Sequence, residues 1–188
     1  MKSVLISIQP KYCELIASGK KTVEVRKTKP KLQTPFKCYI YETQGRTETP
    51  FVDEEGHHIF KGRGQVIGEF VCDKIIRINY SCGSYRCEGF NRLENDRIAS
   101  GSQLSLYDMR NYLSCNGGYA WHITDLVIYD KPKELSEFCQ KCKSYDKDEW
   151  ENDDCLECEN PCGNGGKLYL KRPPQSWCYV EELKGGAE

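Results

Sequence analysis

Apolar and polar positions switch repeatedly between strand and helix periods along the chain. "VLISIQ" (Val4–Gln9) is a short apolar run that predicts a strand. "PKYCELIASG" follows, with Cys13, Ile16 and Ala17 at helical spacing, Pro10 suited to a first helical position and Gly19 just past the end, which predicts a helix. In "KTVEVRK" Val23 and Val25 point one way while Thr22, Glu24 and Arg26 point the other, the pattern of a strand. "FKCYIYET" (Phe36–Thr43) predicts a third strand, residues 44–64 a loop or ragged hairpin, and "QVIGEFVCDKIIRI" (Gln65–Ile78) a long strand or strand pair with Gly68 as a bulge. Asn79–Phe90 reads as irregular.

In "LSLYDMRNYL" (Leu104–Leu113), Leu106, Met109 and Leu113 share a helical face, Ser105 is a good N-cap with Asp108 three residues on, and Gly117-Gly118 lies beyond the end. "YAWHITDLVIYD" (Tyr119–Asp130) predicts another strand, Lys131–Phe138 a short helix, and "PPQSWCYVEEL" a last strand. Strands predominate over two or three short helices, which points to a small α+β barrel.

The chain has 188 residues, enough for one domain with room for an appended module. Its net charge of −1 excludes any argument from global charge, but the distribution is uneven. Met1–Lys31 carries eight Lys or Arg against Glu14 and Glu24, and Asp146–Glu159 carries eight Asp or Glu against Lys147. The N-terminal apolar run is shorter than a signal-peptide core, and no stretch approaches the roughly 20 apolar residues that span a bilayer. The expectation is a soluble, cytoplasmic protein without a membrane partner.

Without a secretory signal, twelve cysteines point to reduced thiols and metal rather than disulfides. "CQKCKSYDKDEWENDDCLECENPC" holds Cys139-x2-Cys142, twelve residues, Cys155-x2-Cys158, then Cys162. Two C-x-x-C pairs supply four soft ligands in the arrangement a structural Zn²⁺ site requires, and such a site is coordinatively closed. Cys162 is an alternative fourth ligand. The acidic run between the pairs has no core-forming pattern, so metal would organise it. Adventitious cysteines in a disordered insert, or a disulfide pair, are the competing account. The expected domains are a barrel over 1–138 and 167–188 and a cysteine-rich insert over 139–166, the latter also a possible protein-docking module.

Lys20, Lys21, Arg26, Lys27, Lys29 and Lys31 crowd twelve residues, with Lys11 and Tyr12 just before. One account is a solvated strand face whose charges pair across strands. The other is a basic surface with aromatics that meets phosphates and bases. "RPPQSWCYV" poses the same choice: a double proline stiffens the approach to Gln175, Ser176 and Trp177, which either read a base-sized ligand or pack on the barrel.

The succession of strand, helix and "GKKTVEVR", with "LSLYDMRNYL", "YAWHITDLVIYD" and "PPQSWCYV" after it, resembles the ASCH family of the PUA-like superfamily, of the type carried by bacteria and phages. The resemblance implies a small mixed barrel with short flanking helices, interrupted here by a zinc-knuckle-like insert. It also implies a cleft beside the first helix that binds RNA or nucleotides. Lys21, Glu24 and Arg26 would line that cleft, with Gln9, Tyr12, Lys20, Gln175 and Trp177 nearby. A few compact family members are amidohydrolases acting on N4-acetylcytidine through a lysine, a threonine and a glutamate. Their lysine matches Lys21. Glu24 stands where their threonine falls, and residues 96–103 offer no match for their glutamate. Lys21 and Glu24 are therefore the catalytic candidates if the protein is a hydrolase.

Overall fold

The computed structural model describes residues 1–48, 59–81, 84–87, 92–141 and 166–183. Strands β1 (Lys2–Ile8), β2 (Val23–Arg26), β3 (Phe36–Glu42), β4 (Arg46–Glu48), β5 (Ile59–Lys61), β6 (Val66–Cys72), β7 (Ile75–Ser81), β8 (Ser84–Cys87), β9 (Gly118–His122), β10 (Thr124–Lys133), β11 (Cys139–Lys141), β12 (Lys167–Tyr169) and β13 (Trp177–Glu181) are joined by helices α1 (Pro10–Ala17), α2 (Arg92–Ser102) and α3 (Leu106–Leu113). A five-stranded sheet runs β10-β6-β3-β1-β13, and a four-stranded sheet runs β2-β9-β7-β8. The pairs β4–β5 and β11–β12 form two small ribbons.

β1 is central, pairing antiparallel with β13 and parallel with β3, and it is buried on both faces, with Ser3 and Ser7 flanking Leu5 on one of them. Its even positions, Val4, Ile6 and Ile8, join Cys38, Ile40, Phe70 and Trp121 in the main core, where α1 adds Cys13 and Ile16. Its odd position Leu5 joins Tyr39, Tyr41, Val66 and Phe138 in a second core on the opposite face. The four-stranded sheet is layered in the same way. Val23, Val25, Ile76, Ile78 and Ala120 pack beneath Met109 and Leu113 of α3, while Trp121 packs toward the five-stranded sheet. The alternation in β2 is thus real, but both of its faces are covered.

The expected barrel is replaced, among the described residues, by open sheets that do not close on one another. The apolar run 65–78 divides at Asp73-Lys74, and its halves enter different sheets as β6 and β7. Opposite Gly68 the β3–β6 register shifts between Ile40 and Tyr41, as a bulge there requires. α3 starts with the expected capping box between Ser105 and Asp108. Residues 131–138 hold the end of β10 and a single 3₁₀ turn (Leu135–Glu137) rather than a helix. α2 is an addition: its sequence is polar and carries Gly101, so no apolar period announces it.

Candidate functional site

β2 leaves α1 through Gly19, whose positive φ of 71° supports the turn. It lies at the edge of the four-stranded sheet beside β9, with Glu24 opposite Trp121 and Arg26 opposite Tyr119. Trp121 lies in the core between the sheets, so its cross-strand neighbours face the same interior. Lys21, Glu24 and Arg26 are consequently only 2%, 7% and 7% exposed. For these three residues the solvated-face account fails, because they face another layer of protein, whereas Lys20, Lys27, Lys29 and Lys31 are exposed as that account expects.

The three charges form one cluster. Lys21 Nζ lies 3.3 Å from Glu24 Oε2, and Arg26 Nε lies 3.0 Å from Glu24 Oε1. Lys21 also donates to the carbonyl oxygen of Ser102 at 2.6 Å. Arg26 Nη2 donates to the Ser7 carbonyl at 2.6 Å, and Nη1 donates to Ser176 Oγ at 3.4 Å. Arg26 Nε faces Glu24 as an ion pair, yet its N–H lacks the alignment of a hydrogen bond and is left without one. Two cations against one carboxylate leave a surplus of one positive charge.

This cluster floors a cavity of about 380 Å³. β1 contributes Ser7 and Ile8, α1 contributes Tyr12, and α3 with the residues before it contributes Leu104, Asp108, Asn111 and Tyr112. Lys21 Nζ sits 5.2 Å from the centre of the Tyr12 ring. Burial, followed by the carboxylates of Asp108 and Glu24, holds the Tyr12 phenol above its usual pKa, so it remains a neutral donor. The cavity therefore offers cationic and phenolic donors, two carboxylates in Glu24 and Asp108 that balance the two cations, and two aromatic walls. Its volume lies at the small end of ligand pockets.

Of the residues singled out from the sequence, Gln9, Tyr12, Lys21, Glu24 and Arg26 line this cavity together. Lys20 points away, into a separate depression with Thr22, Asp96 and Gln103. Trp177 packs at 6.0 Å from Trp121 and 5.4 Å from Tyr179 and donates to Thr28 Oγ1, so it belongs to the core's margin. Gln175 is exposed. The stiff segment before β13 reaches the cluster through Ser176, and through the Pro174 carbonyl, which accepts from Ser7 Oγ. Sequence reasoning misses the wall from α3, although Asp108, Asn111 and Tyr112 at i, i+3 and i+4 mark a polar helix face.

Cys139 is buried at the start of β11, where its thiol donates to Glu181 Oε2 at 3.8 Å. Burial and the Glu181 carboxylate push that thiol up. Cys142, Cys155, Cys158 and Cys162 lie outside the described residues. Among the described residues no group of three or more His, Cys, Asp or Glu is placed to hold a metal ion. No helix among them is long and apolar enough to cross a membrane.

The model of the ASCH domain family matches residues 6–162. The crystal structure of ASCH from Zymomonas mobilis is similar at 19% identity with a TM-score of 0.54, covering 96% of this chain and 88% of that one. A serine-to-alanine mutant of the same Zymomonas mobilis protein gives 19% identity and a TM-score of 0.52 over 96% and 89% of the two chains. A search of curated proteins found no match.

Proposed function

This chain belongs to the ASCH domain family, and on that premise we propose that the Lys21–Glu24–Arg26 cavity binds one nucleotide unit, free or within an RNA strand. The observation that carries the reading is the burial of three charged side chains at the floor of an open cavity. A buried ion cluster is costly to desolvate, and an apolar packing of the same volume is often as stable. A ligand accounts for its retention. Lys21 and Arg26 meet a phosphate or a base carbonyl, Glu24 accepts from a base amino group, and Tyr12 and Tyr112 flank the ring. Equilibrium binding of a labelled RNA oligonucleotide tests this: affinity falls steeply with salt and weakens in Lys21→Ala. Salt-independent binding, or none, overturns it.

The 3.3 Å approach of Lys21 to Glu24 favours a second reading, hydrolysis of an acylated nucleoside. Lys21 would hold the acyl carbonyl while Glu24 takes a proton from the attacking water; the C–N bond then breaks to give acid and amine. Incubation with N4-acetylcytidine decides it. Cytidine released by the wild type and not by Glu24→Ala supports hydrolysis, and no product at stoichiometric protein removes it.

The insert over 139–166 carries its own proposal, a structural Zn²⁺ held by Cys139, Cys142, Cys155 and Cys158, with Cys162 as the alternative fourth ligand. Supporting it, β11 and β12 pair through Lys141 and Lys167, bringing the two ends of the insert together. Metal analysis should give about one Zn²⁺ per chain. A metal-free protein whose Cys139 and Cys142 alkylate freely in the folded state contradicts it.

A further inference from the structure

The outer strands of the five-stranded sheet are β10 and β13. β10 is guarded: it contains Lys131, Pro132 and Lys133, and its register against β6 shifts twice. Proline, lysine and bulges protect a sheet edge against strand addition. β13 has none of these. It reads "WCYVE" and runs along β1 from the Lys2–Glu181 pair to the Ile6–Trp177 pair without a shift.

The direction of its free backbone groups follows from the ladder. The Ser7 N–H donates to the Ser176 carbonyl at 2.9 Å, and the Glu182 N–H donates to the Met1 carbonyl at 2.8 Å. In an antiparallel pair such positions alternate with positions that exchange no bonds. Ser176, Cys178, Val180 and Glu182 therefore turn their N–H and C=O groups toward β1. Trp177, Tyr179 and Glu181 turn theirs to the other side, where no described strand pairs with them.

A groove of about 640 Å³ lies against this edge, lined by Trp177, Cys178, Tyr179 and Glu181 and, from β11, by Gln140 and Lys141. β11 stands beside β13 through the Cys139 thiol on Glu181, but its ladder is with β12. The groove shares no lining residue with the Lys21–Glu24–Arg26 cavity. Its surroundings are basic. Lys2 and Lys141 line it, and Lys167 stands opposite Lys141 in the ribbon. The exposed Lys31 sits next to it, its N–H donating to Tyr179 Oη at 2.7 Å. Glu181 is the carboxylate among the lining residues, and it already accepts from Cys139.

We propose that the open edge of β13 takes up an extended acidic peptide of a partner protein, which adds to the sheet as a further strand. The backbone groups of Trp177, Tyr179 and Glu181 pair with the peptide main chain, and carboxylates on the peptide meet Lys2 and Lys141. A nucleic acid has no N–H and C=O groups alternating at strand spacing, so the edge matches a polypeptide instead.

The test selects a phage-displayed library of random linear peptides against the immobilised full chain and synthesises the enriched sequence with a fluorescent label. Enriched peptides should be rich in Asp and Glu. Lys2→Gln/Lys141→Glu changes two exposed side chains, and thermal melting confirms its fold. It should weaken peptide binding by about tenfold. Methylating alternate backbone nitrogens of the peptide should abolish binding in one phase and spare it in the other, because only alternate residues of an added strand face β13. Amide exchange followed by NMR should show protection gained at Trp177, Tyr179 and Glu181 and not at Cys178 or Val180. No enrichment of acidic peptides, or binding that survives methylation in both phases, overturns the proposal. So does a labelled oligouridylate that displaces the peptide and loses affinity in the same double variant, which would assign the groove to nucleic acid.

Discussion

The Lys21 ammonium donates to the carbonyl oxygen of Ser102 at 2.6 Å, tying together residues 81 positions apart. Ser102 is fully buried at the end of α2, immediately before the residues that lead into α3. One side chain thus joins the charged floor of the cavity to the helical segment that forms its wall.

Lys21→Met should cost about 3–5 kcal/mol, because it leaves the Glu24 carboxylate without its ammonium partner and the Ser102 carbonyl without its donor. Urea denaturation measures the loss. A midpoint near that of wild type would show that the contact does not hold the wall.

Glu24→Gln keeps the shape of the side chain but removes the charge between Lys21 and Arg26, so it should destabilise by about 3 kcal/mol. Residues in one ion-pair network do not act independently, and the Lys21→Met/Glu24→Gln double variant should lose about 1–3 kcal/mol less than the sum of the single losses. Additive losses in the same denaturation experiment would mean that the two residues are uncoupled.

The buried thiols predict an alkaline limit to stability. Desolvation raises Cys72 from 9.0 to about 12, and burial lifts Cys13 and Cys38 well above their usual range. Between those limits the folded state keeps protons that the unfolded state releases. The contribution is thus complete below pH 9 and lost as pH rises toward 12. Each such thiol steepens the decline by about 1.4 kcal/mol per pH unit. The raised phenols of Tyr39 and Tyr129 act in the same direction at higher pH. Urea midpoints measured in reducing buffer on both sides of pH 9 check the sign; a midpoint that rises with pH contradicts it.

Gly117 has a φ of 69°, and a Cβ there would lie 2.2 Å from the Ile78 carbonyl oxygen. Gly117→Ala should destabilise by about 2–3 kcal/mol through backbone strain and overpacking. Its thermal midpoint is the measurement, and a wild-type value would show that the turn into β9 relaxes freely.

Much of this architecture is visible in local pattern. β1, α1 and β2 follow from "VLISIQ", Pro10 and the alternation of Val23 and Val25, and the α3 cap is written in Ser105 and Asp108. Tertiary layering is not local, and that is where expectation and structure part. Alternation separates Glu24 from Val25, but it cannot say that a second sheet covers the polar side. The charged pair Asp73-Lys74 marks where the run 65–78 divides, as the strand-pair alternative expects, but it cannot say that the two halves enter different sheets. α2 escapes notice because its position depends on contacts such as the Thr22 N–H to Gly101 carbonyl bond rather than on an apolar stripe. For Trp177 the sequence leaves a ligand-reading face and packing on the barrel side by side, because it cannot distinguish an open indole face from one packed on Trp121, and the structure has the packed one.

Photo-crosslinking of a 4-thiouridine-containing RNA, mapped by mass spectrometry, tests the central claim most directly, since it locates the base rather than inferring it from affinity. The account predicts adducts on Tyr12 or Tyr112, the aromatic walls beside Lys21 and Arg26, and their loss when unlabelled RNA competes. Adducts confined to surfaces remote from the cavity and its rim, or no adduct at saturating RNA, would contradict it.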